Sequence, residues 1–262
     1  MSPIFPVKID FVAHELSLFL CCGTRISAFF LVAPFFSQAA IPRMVKIMLT
    51  IGIALTVMNA MPHAVPFSQY NTLTMITVSL KEMVIGLAMG LIIKIIFEVL
   101  SIAGQMVSTA MQLNFATAYS LNDGSQTNEL ASFYEIFGML MFITLHGPVI
   151  LITLLYKSYE TMPIGFSINN AQILYLMHFS RYMFIYGLLL SLPVVITLMI
   201  VNSAMAVVSR LSSMLNVFSI GFSVSVIMGL STLMVSLPFS LMYFSHIIEM
   251  GLKFLSTWQV IR

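Results

Sequence analysis

Ser223 and His246 are the residues with the clearest capacity for covalent chemistry. Ser223 lies in GFSV at 221–224, among small side chains, and His246 follows it as a possible general base. A serine nucleophile requires its base within hydrogen-bond reach. Val224 stands where an intramembrane serine protease would carry a glycine, and no residues for an oxyanion hole are recognisable. A membrane protease is therefore kept only as an alternative, and we expect that the chain is not an enzyme.

Charged side chains form the second group that could do chemistry. They lie in or at the ends of apolar segments: Arg25, Lys81, Glu82, Lys94, Glu98, Glu135 and Arg181. Charge in lipid is costly and requires a partner or water. Lys94 and Glu98 are four residues apart and could form an ion pair on one helix face. Because acidic pairs at helical spacing are missing, contacts with partner chains, or side chains that reach water at helix ends, are favoured over an ion relay.

Metal and cofactor chemistry has no support in the sequence. The five histidines lack ligand spacing, and HExxH, CxxC, P-loop and GxGxxG motifs are absent. We therefore expect no metal and no cofactor. Cys21 and Cys22 are adjacent in an apolar run, a geometry that disfavours a disulfide between them. We interpret them as two small buried apolar residues.

One polar stretch interrupts the apolar chain near its centre. Residues 114–129 read NFATAYSLNDGSQTNE, and their only charges are Asp123 and Glu129. No Lys or Arg occurs between Lys94 and Lys157. Asn, Ser and Thr side chains satisfy backbone groups locally and favour turns over helix. Loops of this length are usually functional or disordered.

The elements around these residues must be membrane-type helices. The chain is 60% hydrophobic and 8% charged, with a mean hydropathy of +1.03, whereas soluble domains carry about 25% charged residues. A net charge of +2 gives no reason to expect nucleic acid. Long apolar runs favour helices over a β-barrel. We therefore predict an all-α protein with about six hydrophobic segments: 11–36, 44–61, 73–104, 130–156, 173–203 and 214–248.

Glycines and prolines predict how these helices pack and bend. Gly86 and Gly90 form a GxxxG pattern, which allows close helix approach, and Gly221 and Gly229 offer a second small-residue face around Ser223. Two prolines, Pro193 and Pro238, lie inside helical runs and predict kinks. The Lys and Arg residues of the connecting loops divide four against three, which does not decide an orientation in the membrane.

Five segments, in order, resemble the FliR family of flagellar export-gate proteins, called SctT in virulence type III secretion. They are RISAFFLVAPFFSQAAIPRMVKIML (25–49), KEMVIGLAMGLI (81–92), the stretch from AGQMV to ITLHG (103–147), SYETMPIG (158–165) and SRLSSMLNVFSIGF (209–222). The resemblance covers nearly the whole chain. Two departures, at Asn122-Asp123 and at Leu145-His146-Gly147, affect details of the gate rather than membership.

The resemblance implies an organisation and partners. Residues 1–185 are similar to a FliP-like subunit, and residues 186–262 are similar to a FliQ-like helical hairpin. Such a chain would be a core subunit of the flagellar protein-export gate in the bacterial inner membrane, in the basal body. Its expected partners are FliP-like and FliQ-like subunits, an FlhB-like protein, membrane lipid and unfolded export substrates. A secondary membrane transporter and a virulence homologue of the same gate remain as alternatives.

In that family the loop after the third segment plugs the pore, which implies the same role for residues 105–128. Phe115, Tyr119 and Leu121 would supply bulk, and Gly124 would let the loop bend. The near absence of positive charge suits a loop that must neither hold nor repel passing chains. The full set of expected plug residues is Met111, Asn114, Phe115, Tyr119, Leu121, Asn122, Asp123 and Gly124.

Overall fold

The computed structural model describes residues 9–37, 41–60, 72–113, 128–211 and 217–260. Every regular element within these ranges is a helix, which confirms the predicted all-α class. In chain order the helices are α1 (Ile9–Val32), α2 (Pro34–Ser37), α3 (Arg43–Ala60), α4 (Thr72–Ala110), α5 (Glu129–Thr144), α6 (Gly147–Thr161), α7 (Asn170–Leu211) and α8 (Val217–Val260).

The predicted segments fall on these helices, with two corrections. The segment 11–36 is interrupted at Ala33, between α1 and α2, with Pro34 at the start of α2. The segment 130–156, predicted as a single crossing, is broken into α5 and α6, which meet at an angle of 71°. His146, at the break, has a left-handed backbone with φ of 57°. Pro148 follows at the start of α6 and has no N–H to continue the hydrogen bonding of α5. The chain therefore turns where the hydropathy alone predicts a continuous helix.

Several helices have the length and composition of membrane spans. Among the described residues, four qualify, namely Glu15–Val32, Leu73–Ala110, Asn170–Leu211 and Ile220–Ser240, and the bent α5–α6 pair would be a fifth. The predicted count of about six is thus approximate. With 39, 42 and 44 residues, α4, α7 and α8 are about 58 to 66 Å long. That is roughly twice the ~30 Å hydrocarbon core of a bilayer. Pro193 and Pro238 lie inside α7 and α8.

The chain forms two compact units. The first unit comprises Met1–Lys94, His146–Met177 and Leu252–Arg262, and the second comprises Ile95–Leu145 and His178–Gly251. Each unit therefore combines segments that are distant in the sequence. The predicted division at residues 185 and 186 concerns likeness to other subunits and stays a prediction.

Close helix contacts and reciprocal hydrogen bonds build the first unit. A Cβ atom at Gly90 would lie 2.9 Å from the Cβ of Val32, so α4 approaches α1 closely at this point. The Trp258 indole donates to the Gln172 carbonyl at 3.0 Å, and the Gln172 amide donates to the Trp258 carbonyl at 3.3 Å. This exchange ties the end of α8 to the start of α7. Cys21 and Cys22 are both buried and form no disulfide, and the Cys21 Sγ lies 3.9 Å from the Ser79 hydroxyl, within hydrogen-bond distance for sulfur.

The second unit is organised around the carboxyl-terminal half of α4. Glycines of α5, α7 and α8 face apolar side chains of α4 or of Met111, the residue that follows it, in the pairs Gly138 with Leu100, Gly187 with Ile102, Gly229 with Met111 and Gly251 with Ile96. The aromatic rings of Phe97, Phe142 and Phe244 pack edge to face beside them, with centroids 5.2 and 6.0 Å apart. The missing side chains let three helices approach one helix, which makes this half of α4 the centre of the unit.

Candidate functional site

The predicted plug begins at the end of α4. Met111 is described and buried, but the remaining predicted plug residues lie outside the described residues: Asn114, Phe115, Tyr119, Leu121, Asn122, Asp123 and Gly124. Residues 105–110 of the predicted loop are helical, because α4 continues to Ala110. The part of the site that can be built from geometry is therefore its two ends, at residues 110–113 and 128–131.

The chain leaves α4 through a defined terminus. The Met111 N–H still donates to the Val107 carbonyl at 2.9 Å, which is the helical pattern. Gln112 then adopts a left-handed backbone with φ of 64°, and its N–H donates to the Thr109 carbonyl at 3.0 Å. A left-handed residue at this position ends the helix and redirects the chain. The first turn of the predicted loop is thus fixed by backbone hydrogen bonds.

The chain re-enters helix at a well-formed cap. Asn128 has an extended backbone, and its side-chain oxygen accepts from the Ala131 N–H at 3.3 Å. Asparagine is among the preferred residues for this role. Glu129, in the first turn of α5, places its negative charge at the positive end of the helix. The sequence NEL at 128–130 therefore specifies where α5 starts.

The two ends of the predicted loop are held beside each other. A Cβ atom added to Gly104 would lie 2.5 Å from the Ala131 Cα and 2.8 Å from the Ala131 N. The backbones of α4 and α5 are therefore in direct contact one or two turns from the ends of the loop. The described residues on the two sides of the predicted loop therefore belong to helices that pack against each other.

The other residues singled out from the sequence have separate positions. Gly86 and Gly90 both face α1, and a Cβ at Gly86 would collide with the Arg25 carbonyl oxygen. A Cβ added at Gly221 would meet no atom of another element within 4 Å. Lys94 and Glu98 occupy successive turns of α4, the first exposed and the second half-buried, and their pairing stays a prediction.

The structure contradicts the protease alternative. Ser223 and His246 are both exposed and lie on the same uninterrupted helix, α8. Twenty-three residues of helix separate them by about 35 Å along the axis. A hydrogen bond between nucleophile and base needs a distance of about 3 Å. Within one chain this serine and this histidine cannot form a catalytic pair.

A buried ion pair that the sequence did not predict lies in the first unit. The Arg25 Nε donates to the Glu82 Oε2 at 2.6 Å, and both side chains are 0% exposed. The Arg25 Nη1 donates to the carbonyl and hydroxyl oxygens of Ser158, both at 3.2 Å, and Nη2 donates to the Met162 carbonyl at 2.9 Å. The guanidinium thus donates hydrogen bonds to carbonyl groups at the end of α6 and also neutralises the Glu82 carboxylate.

The same cluster fixes the turn that follows α6. The second Glu82 oxygen accepts from the Gly165 N–H at 2.9 Å, and Gly165 has a φ of +89°, which favours glycine. The Tyr159 ring lies 4.2 Å from the Arg25 guanidinium carbon, and its hydroxyl donates to the Cys22 carbonyl at 2.9 Å. The Glu82 carboxylate, the Arg25 guanidinium and the Tyr159 hydroxyl all bind groups within the chain. The cluster therefore stabilises the turn after α6.

The sequence alone predicts only some of the residues of this cluster. Arg25 and Glu82 stand out as charges inside apolar segments, and the turn itself lies in SYETMPIG. The two charged residues are 57 positions apart in the chain, and no sequence pattern predicts that they form a pair. Helical periodicity finds neighbours three or four residues apart, and these partners come from different helices.

Comparison with known proteins identifies relatives of the chain over most of its length. A family model described as bacterial export proteins, family 1, matches residues 16–251. The chain is 32% identical over 228 residues to the flagellar biosynthetic protein FliR of Buchnera aphidicola subsp. Acyrthosiphon pisum (strain APS), an alignment that covers 86% of this chain and 87% of the relative. It is 30% identical to FliR of Pectobacterium carotovorum subsp. carotovorum, with 87% of each covered, and 27% identical to FliR of Escherichia coli (strain K12), with 88% of each covered.

Proposed function

The chain belongs to the bacterial export proteins, family 1, and from that membership we propose that it is a channel-forming core subunit of the flagellar protein-export gate. The observation that carries the proposal is the family match over residues 16–251. The membership makes the chain a flagellar export component rather than an enzyme. The relatives described above are flagellar proteins, which favours a flagellar gate over a virulence gate.

In this proposal the segment around residues 105–128 closes the pore through which unfolded substrates pass. The backbone contact of Gly104 with Ala131 supports this role, because it holds both ends of the polar segment at one place. Irregular polar backbone is tolerated at membrane depth where it is enclosed by protein or lines water. A pore provides such a place for residues 114–127.

We further propose that the chain functions with FliP-like and FliQ-like subunits and an FlhB-like protein, in the inner membrane at the flagellar basal body. Residues 1–185 would be the FliP-like part and residues 186–262 the FliQ-like hairpin. Large apolar side chains along α7 and α8 support such neighbours, since Leu211 is 83% exposed and Met242 is 77% exposed. Helices about twice as long as one hydrocarbon core require protein partners as well as lipid to cover these faces.

Removing the plug tests the channel. Deletion of residues 115–123, or alanine at Phe115, Tyr119 and Leu121, should make membranes that contain the assembled gate leak ions, because the deleted bulk is what fills the pore. The measurement is ion conductance of the co-expressed gate in planar bilayers, alongside ion release from cells.

The matched control is alanine at Thr117, Ser125 and Thr127. These three changes alter the same segment but remove hydroxyl and methyl groups instead of large side chains, so the conductance should stay at the wild-type value. Native mass spectrometry establishes that each variant gate is assembled. An assembled deletion variant as tight as the wild type would refute the plug.

A further inference from the structure

We infer that one face of α4 lines the water-filled path along which an unfolded export substrate passes through the proposed gate. This face, the polar face, consists of Glu98, Ser101, Gln105, Ser108 and Thr109. The inference rests on the proposed function, because it names the part of this chain that borders the channel. It concerns residues of α4 that belong to the second unit, all of which the structure describes as helix.

The polar residues of this part of α4 share one side of the helix. A helix advances by about 100° per residue, so the polar face occupies a sector of about 100° around the helix axis. Within residues 95–110, every position in that sector is polar, and every position outside it is apolar or glycine. In a chain that is 60% hydrophobic, such a complete separation indicates that the two sides of the helix meet different environments.

The apolar sides of the helix are covered by this chain. Their side chains meet glycines of three other helices, in the pairs Leu100 with Gly138 of α5, Ile102 with Gly187 of α7 and Ile96 with Gly251 of α8. The polar face is the side that these helices leave open. Within residues 95–110, the exposed positions are Gln105 and Thr109, and Glu98 is half-buried beside them.

Hydrogen bonds within α4 support the polar side chains. The Gln105 amide donates to the Ser101 hydroxyl at 3.3 Å, and the Thr109 hydroxyl donates to the Gln105 carbonyl at 2.8 Å. From Glu98 to Thr109 the polar face extends about 16 Å along the helix axis. This is about half of the ~30 Å hydrocarbon core of a bilayer, so the face is long enough to form a substantial part of the wall of a path.

Water is a better neighbour for this face than lipid or a packed helix. Polar side chains of membrane helices almost always face the interior of a helix bundle or a water-filled cavity. A dry contact would have to satisfy the Glu98 carboxylate, the Gln105 amide and the Thr109 hydroxyl at once, whereas water solvates all three. Glutamine and threonine also carry both donors and acceptors without charge. They can therefore bind the backbone of a passing chain of any sequence.

A water-soluble thiol reagent tests for water at the polar face. Gln105→Cys and Thr109→Cys, each in the co-expressed gate in membrane vesicles, should react with a charged methanethiosulfonate at least about tenfold faster than the wild type, because a thiol in water ionises and a thiol in apolar surroundings is inert. The wild type sets the background rate, since Cys21 and Cys22 are buried. Thr109→Cys is nearly isosteric, so this variant should assemble.

The matched control is Leu140→Cys on α5, in the same unit. Leu140 is 60% exposed in this chain, and the side chains of Ile136 and Ile143, one turn away on either side, are apolar and exposed as well. Lipid or a packed neighbour should cover this surface in the gate. The control should therefore react at the background rate despite its exposure within the single chain.

Export after modification tests whether the substrate passes the polar face. Attachment of the reagent to Gln105→Cys should stop export, because the added group occupies the space of the passing chain, and removal of the group with dithiothreitol should restore export. The same treatment of Leu140→Cys should leave export unchanged. Fast modification without any loss of export would overturn the inference, since it would show water at the polar face but no substrate.

Reaction at the background rate in both polar-face variants, in gates that native mass spectrometry shows to be assembled, would also overturn the inference. The leak of the 115–123 deletion is a separate measurement. If that deletion leaks while the polar face is unreactive, the channel stands and the polar face does not line it. If the deletion is tight and the polar face is unreactive, the channel and the polar face are both wrong.

Discussion

At the scale of single residues, the Arg25–Glu82 pair is a fully buried ion pair that joins two helices. Both groups are fully buried, so each would be an uncompensated charge without the other. The arginine is suited to the site because its planar group directs several donors at once, here toward Glu82, Ser158 and Met162. Lysine has a single ammonium group and could not serve three separated acceptor residues. The pair therefore specifies both helix packing and the turn after α6.

Loss of the carboxylate should destabilise the chain. We expect Glu82→Gln to lower the free energy of unfolding by about 3–5 kcal/mol, the range for a buried ion pair that loses one partner. Thermal unfolding of the protein, purified in detergent with its retained partners, measures the effect. The matched control is Glu135→Gln, which makes the same change at an exposed carboxylate, with an expected change within about 0.5 kcal/mol. Equal shifts in the two variants would contradict a special role for the pair.

At the scale of helices, glycines decide which surfaces can meet. The carboxyl-terminal half of α4 is approached by α5, α7 and α8 at positions that carry no side chain. The predicted GxxxG pattern lies in the other half of the same helix and faces α1. One long helix thus uses two sets of close contacts, one in each unit. The predicted plug follows the second set.

Two glycine-to-alanine changes should have opposite signs. Gly104→Ala should destabilise by about 1–3 kcal/mol, because its methyl group would press on the Ala131 backbone, which cannot rotate away. Gly23→Ala meets no atom within 4 Å and should stabilise α1 by up to about 1 kcal/mol through helix propensity. Unfolding midpoints compare the two. If both variants are stabilised, the close contact of α4 with α5 is wrong.

At the scale of the whole molecule, the dominant property is apolar surface that the chain itself does not cover. Large hydrophobic side chains are exposed on every long helix, and only 8% of residues are charged. Bilayer lipid covers about 30 Å of a helix, which is about half the length of α7 or α8. Protein neighbours would cover the remaining apolar surface in the proposed gate.

Co-purification tests this requirement. A tagged copy expressed with its genomic neighbours and extracted in mild detergent should give, by native mass spectrometry, a large complex with one copy of this chain and several copies of two smaller membrane proteins. Expression without the neighbours is the control and should yield unstable or aggregated protein. A stable monomer or homo-oligomer, indifferent to the neighbours, would contradict the gate and favour the transporter.

The sequence by itself determined the all-α membrane class and the export family, and it pointed to Gly86, Gly90, Gly221 and Gly229 as small packing residues, of which all but Gly221 lie at close contacts. These properties follow from hydropathy, periodicity and ordered motifs, which are local in the chain. The start of α5 at Asn128 is local in the same way, because an N-cap is specified by residues within one turn.

Only the tertiary structure decided which distant residues meet. It paired Arg25 with Glu82, placed Gly104 against Ala131, seated Met111 on Gly229, and separated Ser223 from His246 along one helix. The break in the fourth apolar segment at His146 is, by contrast, a local feature, because Gly147 and Pro148 follow it directly. A helix presents several faces, and hydropathy states that a face is apolar without stating which helix covers it. The choice of neighbour depends on the shapes of all helices together, which no local pattern contains.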